Sequence, residues 1–183
     1  MKNLDDAREL SQIMVNIGSD AGSDMVAVLS DMNQPLGNAV GNALEVKEAI
    51  ATLQGDGPDD LLHHCLEIGG HMLQLAGQGK RWTTLEEAKD QLTQQITKGE
   101  GFAKFRTMVE GQGGDVLSVE NPSRLPQAKI VEAIAAEKSG TIHAINAEQI
   151  GLLAVFLGAG RAHTFSPALE RQPPTIPQMR SSI

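Results

Sequence analysis

The sequence predicts a largely helical α/β fold, on three observations. A helical apolar stripe near the start is followed by a short, continuously apolar run. A series of amphipathic helices comes next, and beyond residue 110 the pattern gives way to a turn-rich connection and a second strand-and-helix unit. In the first element, Leu4, Ala7, Leu10, Met14 and Ile17 recur at spacings of three and four, with Asn3 placed to cap the start and Gly18 to stop the end. Residues 25–29 (MVAVL) follow a Gly22, Ser23, Asp24 turn signal and suit a strand buried on both faces of a mostly parallel sheet. Loop signals fill 30–42. Ala43, Val46, Ile50 and Leu53 then set a new helical stripe that ends at Gly55. Pro58 suits a first helical turn, after which Leu61, Cys65, Gly69, Met72 and Ala76 lie on one face. Thr84 and Glu87 have capping-box spacing ahead of Leu85, Ala88, Leu92 and Ile96. Phe102, Phe105 and Val109 mark a shorter helix.

Five Gly and Pro residues interrupt the helical pattern between 111 and 126. We therefore divide the chain into a partial α/β domain over 1–115, the start of an α+β domain over 116–162 and a tail over 163–183. The second unit reads as a strand pair, 129–137 and 141–145, about the Ser139-Gly140 turn, and then an apolar helix over 147–157 stopped by Gly158. The tail loses periodicity and carries Pro167, Pro173, Pro174 and Pro177, so it is expected to be disordered.

Composition narrows the function classes. With 183 residues and 40% apolar content the chain can fill a core. A formal charge of -8, from 23 acidic and 15 basic residues, disfavours nucleic acid and anionic membrane partners. Cys65 is the single cysteine, the first segment is charged, and no run approaches a membrane-spanning length, which together predict a cytoplasmic protein. With 3% aromatic residues and no tyrosine, few rings are available to stack a base or sugar.

Three patterns invite a chemical reading and are more simply structural. His63, His64, Cys65 and His71 are spread over different helix faces, with only His64 and His71 sharing one, whereas zinc takes three or four convergent ligands. Exposed or locally bonded histidines are expected, with Cys65 as a core thiol. Gly158, Gly160 and Arg161 follow a helix where a phosphate cradle precedes one, so they read as a helix stop. Thr84 with Glu87 is a cap, not a catalytic pair.

The informative stretch is 31–48, DMNQPLGNAVGNALEVKE, running from the end of the predicted strand into a helix, where ligands of α/β sheets gather. Its composition alone describes a strand-to-helix loop and names no function. The longer run SDMNQPLGNAVGNALEVKEAI with GDGPDDL, however, resembles the pyrimidine-nucleoside phosphorylases (thymidine phosphorylases) almost residue for residue. The likeness extends through LEIGGHM, FRTMVEGQGG, SRLPQA, AEKSG and IGLLAVFLGAGRA, covering nearly all of 1–162.

That resemblance implies a fragment of the nucleoside phosphorylase and phosphoribosyltransferase type of α/β domain, with the start of an α+β carboxy-terminal domain. Family enzymes are homodimers that cleave a pyrimidine nucleoside with phosphate to free base and pentose 1-phosphate, in nucleoside salvage. Their phosphate loop and base-gripping residues precede the part that this chain resembles, so no catalytic or substrate-binding residue is assigned here, and the isolated chain is expected to be inactive. A potassium site carries over in part: Leu36 and Ala39 match its two carbonyl ligands and Glu48 its carboxylate. On helical position alone Glu48 is a solvated residue, opposite the Ala43, Val46, Ile50 stripe. The ligand role requires a loop that reverses over 38–41 and a helix starting near Asn42, which would cap it with Glu45 three residues on.

The likeness stops at Ala162, and HTFSPALERQPPTIPQMRSSI resembles neither the polar helix start nor the larger α+β domain with which family members continue, as a frameshift in a truncated gene would produce. The alternatives to a phosphorylase segment are a noncatalytic α/β interaction module and a phosphoribosyltransferase. The 31–48 motif favours the phosphorylases over the latter.

Overall fold

The computed structural model describes residues 3–78 and 80–159. Among the described residues seven α-helices follow in order: α1 Leu4–Asp20, α2 Asn42–Leu53, α3 Asp59–Ala76, α4 Leu85–Thr97, α5 Glu100–Gly111, α6 Val116–Glu120 and α7 Ala147–Ala154. A 3₁₀ turn lies at Pro122–Arg124, and α7 runs on into a wide π turn, Val155–Ala159.

Helix starts follow the local chemistry. Asn3 caps α1, its side chain accepting from the Asp6 N–H at 2.8 Å. Thr84 and Glu87 form the complete reciprocal capping box on α4. The Glu87 carboxylate also accepts from the Thr83 hydroxyl and N–H, and these bonds hold it below its ordinary range. Asn146 caps α7 by accepting from the Gln149 N–H. The expected stop of α1 at Gly18 is displaced: the helix continues to Asp20, with Ala21 at its C-cap and Gly22, at φ +78°, just beyond. Gly18 instead lies against the Met25 side chain, where a Cβ would clash.

The most extensive packing joins α3 to α4, with α5 against α4 and α2 and α6 against α5. Gly69 and Gly70 let α4 approach closely, since a Cβ on either would stand 2.8 Å from Leu92 Cδ1 or 2.7 Å from Leu85 Cδ1. Ala88, fully buried, sits on the same side of α4. The apolar face of α3 departs from the expected stripe in part: Leu61 and Gly69 are part-buried as expected and are joined by Leu62, Leu66 and Leu73, whereas Cys65 and Ala76 are exposed and Met72 is 65% exposed. Cys65 is thus a surface thiol. Lys89 bridges the two helices, its Nζ 2.6 Å from Glu67 Oε2 and 3.4 Å from Glu86 Oε1. The Lys89 hydrogen bond lowers the Glu67 carboxyl, and the same bond raises the Lys89 ammonium.

Ile50, 1% exposed, anchors α2, and Leu53 reaches within 3.3 Å of a Cβ position at Gly101 on α5. Thr52 is buried because its hydroxyl donates back to the Glu48 carbonyl while Gly57 closes over it. After α5, the turn-rich connection holds α6, with Val119 buried and Arg106 Nε 2.7 Å from Glu120 Oε1.

Among the described residues no strand forms. Residues 25–29 have no ladder partner, and Met25, Val26, Val28 and Leu29 are exposed. Residues 129–137 and 141–145 do not pair across Ser139-Gly140 either, leaving Ile130, Val131, Ile134 and Ile142 exposed. The physical reason is shared. A strand is stabilised by a neighbour's backbone and by a covered face, and neither is supplied to these segments here. The chain as described is largely helical. The expected tail, 163–183, and the Gly160-Arg161 stop lie outside the described residues.

Candidate functional site

The 31–48 stretch forms a reversing loop that leads into α2. Helix α2 starts at Asn42, and the preceding residues reverse through Gly37, at φ +71°, and Gly41, at φ +119°. The helix cap differs from expectation by one residue. Gly41, not Asn42, holds the cap position, no side chain caps it, and Glu45 reaches back to accept from the Gly41 N–H at 2.8 Å. A positive φ there suits glycine, which fixes the helix start one position earlier than a side-chain cap would.

Glu48 is half-buried and turned towards the loop. Its Oε1 accepts from the Asn38 N–H at 2.9 Å, and its Oε2 lies so close to Gly37 that a Cβ at that position would clash with it. The side chain thus meets the two residues that separate Leu36 from Ala39. A second carboxylate arrives from α3: Asp60 Oδ2 accepts from the Gly37 N–H at 2.9 Å while its Oδ1 accepts from the Leu61 N–H at 2.9 Å. The Gly37 bond is the main reason that the Asp60 carboxyl stands below its ordinary 3.8, against a smaller opposing effect of burial. Asp60 was not legible as a loop partner, being 23 residues from Gly37 in sequence. On the other side the loop meets the wide turn, where a Cβ on Gly41 would stand 2.8 Å from Ala159 Cβ.

The side chains that meet the loop, Glu48 and Asp60, bring only carboxylate oxygen to it. That is the chemistry a hard cation takes, and it is unlike the nitrogen and sulfur set of a zinc site. Among the described residues no three His, Cys, Asp or Glu side chains converge as metal ligands. His71 Nε2 lies 3.5 Å from Glu67 Oε1 on its own helix. A groove of roughly 460 Å³ between α4 and α5, lined by Gln95, Glu100, Gly101, Ala103, Lys104 and Thr107, stands apart from the loop. Its Thr107 hydroxyl is engaged with the Ala103 carbonyl.

Similarity to known proteins covers most of the chain. Pyrimidine-nucleoside phosphorylases of Geobacillus stearothermophilus and Bacillus subtilis are 46% and 47% identical over 162 residues, 88% of this chain and 37% of each relative. That of Staphylococcus epidermidis is 48% identical over 161 residues, 88% of this chain and 36% of the relative. The chain therefore spans a little over a third of the length of these curated relatives. No family model matches it.

Proposed function

We propose that this chain, a homologue of the pyrimidine-nucleoside phosphorylases, serves the phosphorolysis of pyrimidine nucleosides as the segment that carries the cation-holding loop. In that reaction a phosphate oxygen bonds to the anomeric carbon as the glycosidic bond breaks. The bond's electron pair leaves with the base nitrogen, which takes up the proton that the attacking phosphate gives up, and the products are free base and pentose 1-phosphate. The single observation that carries the reading is the 46–48% identity maintained over 88% of the chain. The loop supports it, because Glu48 reaches Gly37 and Asn38 from a helix that begins at Asn42.

Potassium is the cation proposed, with the Leu36 and Ala39 carbonyls and the Glu48 carboxylate as this chain's share of its ligands. Bound there, it would supply positive charge and fix the loop. Phosphate and base are not gripped by residues assigned in this chain. Those contacts need cationic and backbone donors around the sugar and the departing base.

A segment exchange tests the reading. Residues 1–162 placed into the Geobacillus stearothermophilus relative, in place of its matching third, are expected to give a folded chimaera that releases base from thymidine or uridine in a phosphate-dependent manner. The isolated chain is expected to release none above a vector control. A folded but inactive chimaera beside an active parent would overturn the proposal. It would favour the second reading, a noncatalytic interaction module, for which the uncovered apolar residues Ile130, Val131 and Ile134 speak.

A further inference from the structure

The carboxylate of Asp60 is attached to the candidate loop from outside it. Its Oδ2 accepts the Gly37 N–H, and its Oδ1 stays on the first turn of α3 through the Leu61 N–H. The Gly37 N–H and the Leu36 carbonyl are the two ends of one planar trans peptide unit, and they point in opposite directions. Whatever holds the one aims the other. Glu48 does the same for the next unit, where its bond to the Asn38 N–H aims the Gly37 carbonyl. Successive peptide planes are thus pinned from two different helices, α3 and α2. Between them stands a glycine at positive φ, the residue most free to let the planes swing.

We propose that Asp60 is a positioning residue of the cation loop, holding the Leu36 carbonyl in its ligating direction by bonding the N–H of the same peptide unit. The inference rests on the cation reading above and adds a residue to it. Asp60 does not touch the cation itself. It acts as the partners behind ligands do elsewhere, by removing the ligand's freedom to turn away.

The test uses the full chain and two readouts, amide hydrogen exchange at Gly37 and potassium affinity. The latter is followed by the potassium-dependent protection of the 36–41 amides, with sodium at equal ionic strength as the reference. In Asp60→Ala the Gly37 amide is expected to exchange at least about tenfold faster. Potassium affinity is expected to fall about tenfold or more, the usual consequence of losing a partner behind a ligand. Helical content and α4 amide protection should stay unchanged. Asp59→Ala, one residue earlier in the same first turn, controls for lost helix-end charge and should leave both readouts at the parent value. Asp60→Asn keeps an acceptor oxygen and should recover part of both. Unchanged potassium affinity in Asp60→Ala, with parent-like binding in the unaltered chain, would overturn the role of Asp60 alone. An unaltered chain with no potassium-dependent protection would overturn the cation reading, and this inference with it.

Discussion

At the scale of single residues the candidate loop depends on which atoms are absent. Gly37 combines a positive φ with the Glu48 carboxylate packed where a Cβ would stand, whereas Gly55 has a comparable φ of +86° and open space around it. Gly55→Ala is therefore expected to cost only the backbone strain, about 1 kcal/mol. Gly37→Ala should cost roughly 2–3 kcal/mol, because the carboxylate must also move. Urea denaturation of the two variants measures the difference, and equal losses would contradict the packing described. Asp60 yields a pH prediction of definite sign. Its folded carboxyl lies below the ordinary 3.8, so its contribution to holding the loop is complete above that value and is lost only as pH falls through the lower folded one. NMR titration of its side-chain carboxyl carbon from about pH 6 down to about pH 2 should place the midpoint lower in the native chain than in urea. Coincident midpoints would contradict the Gly37 bond. The glycines and Glu48 were legible from sequence through their motif. Asp60 was not, because no local spacing joins it to Gly37.

At the scale of elements, the parts set by near neighbours were readable and the parts set by distant ones were not. The α4 capping box needs only Thr84, Glu87 and the backbone between them, and it forms as its spacing predicts. Thr84→Ala should accordingly cost about 1 kcal/mol, with a drop in the protection of the Glu87 amide that hydrogen exchange can follow. On α3 the sequence offers two adjacent apolar registers, one through Leu61 and Cys65 and the other through Leu62 and Leu66. Periodicity alone does not choose between them. α4 turns the face towards the second, seating Leu85 on Gly70 and Leu92 on Gly69, so that Leu62 and Leu66 join the part-buried Leu61 while Cys65 is left outside. Hence Gly70→Val is expected to separate the two helices at a cost of about 1–3 kcal/mol. Cys65 should be modified by a thiol reagent in the native chain at nearly its unfolded rate, as its exposure requires.

At the scale of the whole molecule, helices close their backbone bonds within one segment, while strands need another segment to close theirs. That difference explains why the helical part of the expected α/β pattern is present and the strand part is not. Residues 25–29 and 129–145 carry strand-like apolar content that the described neighbours leave exposed, and Ile134 is 97% exposed. These segments should behave as open apolar surface, in contrast to Ile50, whose replacement by Ala should cost about 2–4 kcal/mol as a core truncation. A double variant, Val131→Lys with Ile134→Lys, separates the two kinds of apolar residue. Both positions are exposed, so the stability of the helical part should change by no more than about 0.5 kcal/mol. Binding of a hydrophobic dye and self-association at high concentration should both fall, because the variant adds charge to the surface that drives them. If the variant instead unfolded the helices, residues 129–145 would have to pack on them, and the exposure of Val131 and Ile134 would be wrong. If dye binding stayed at the parent value with the fold intact, the accessible apolar surface would have to lie elsewhere, with α1 and its exposed Leu4, Met14 and Ile17 the next place to substitute.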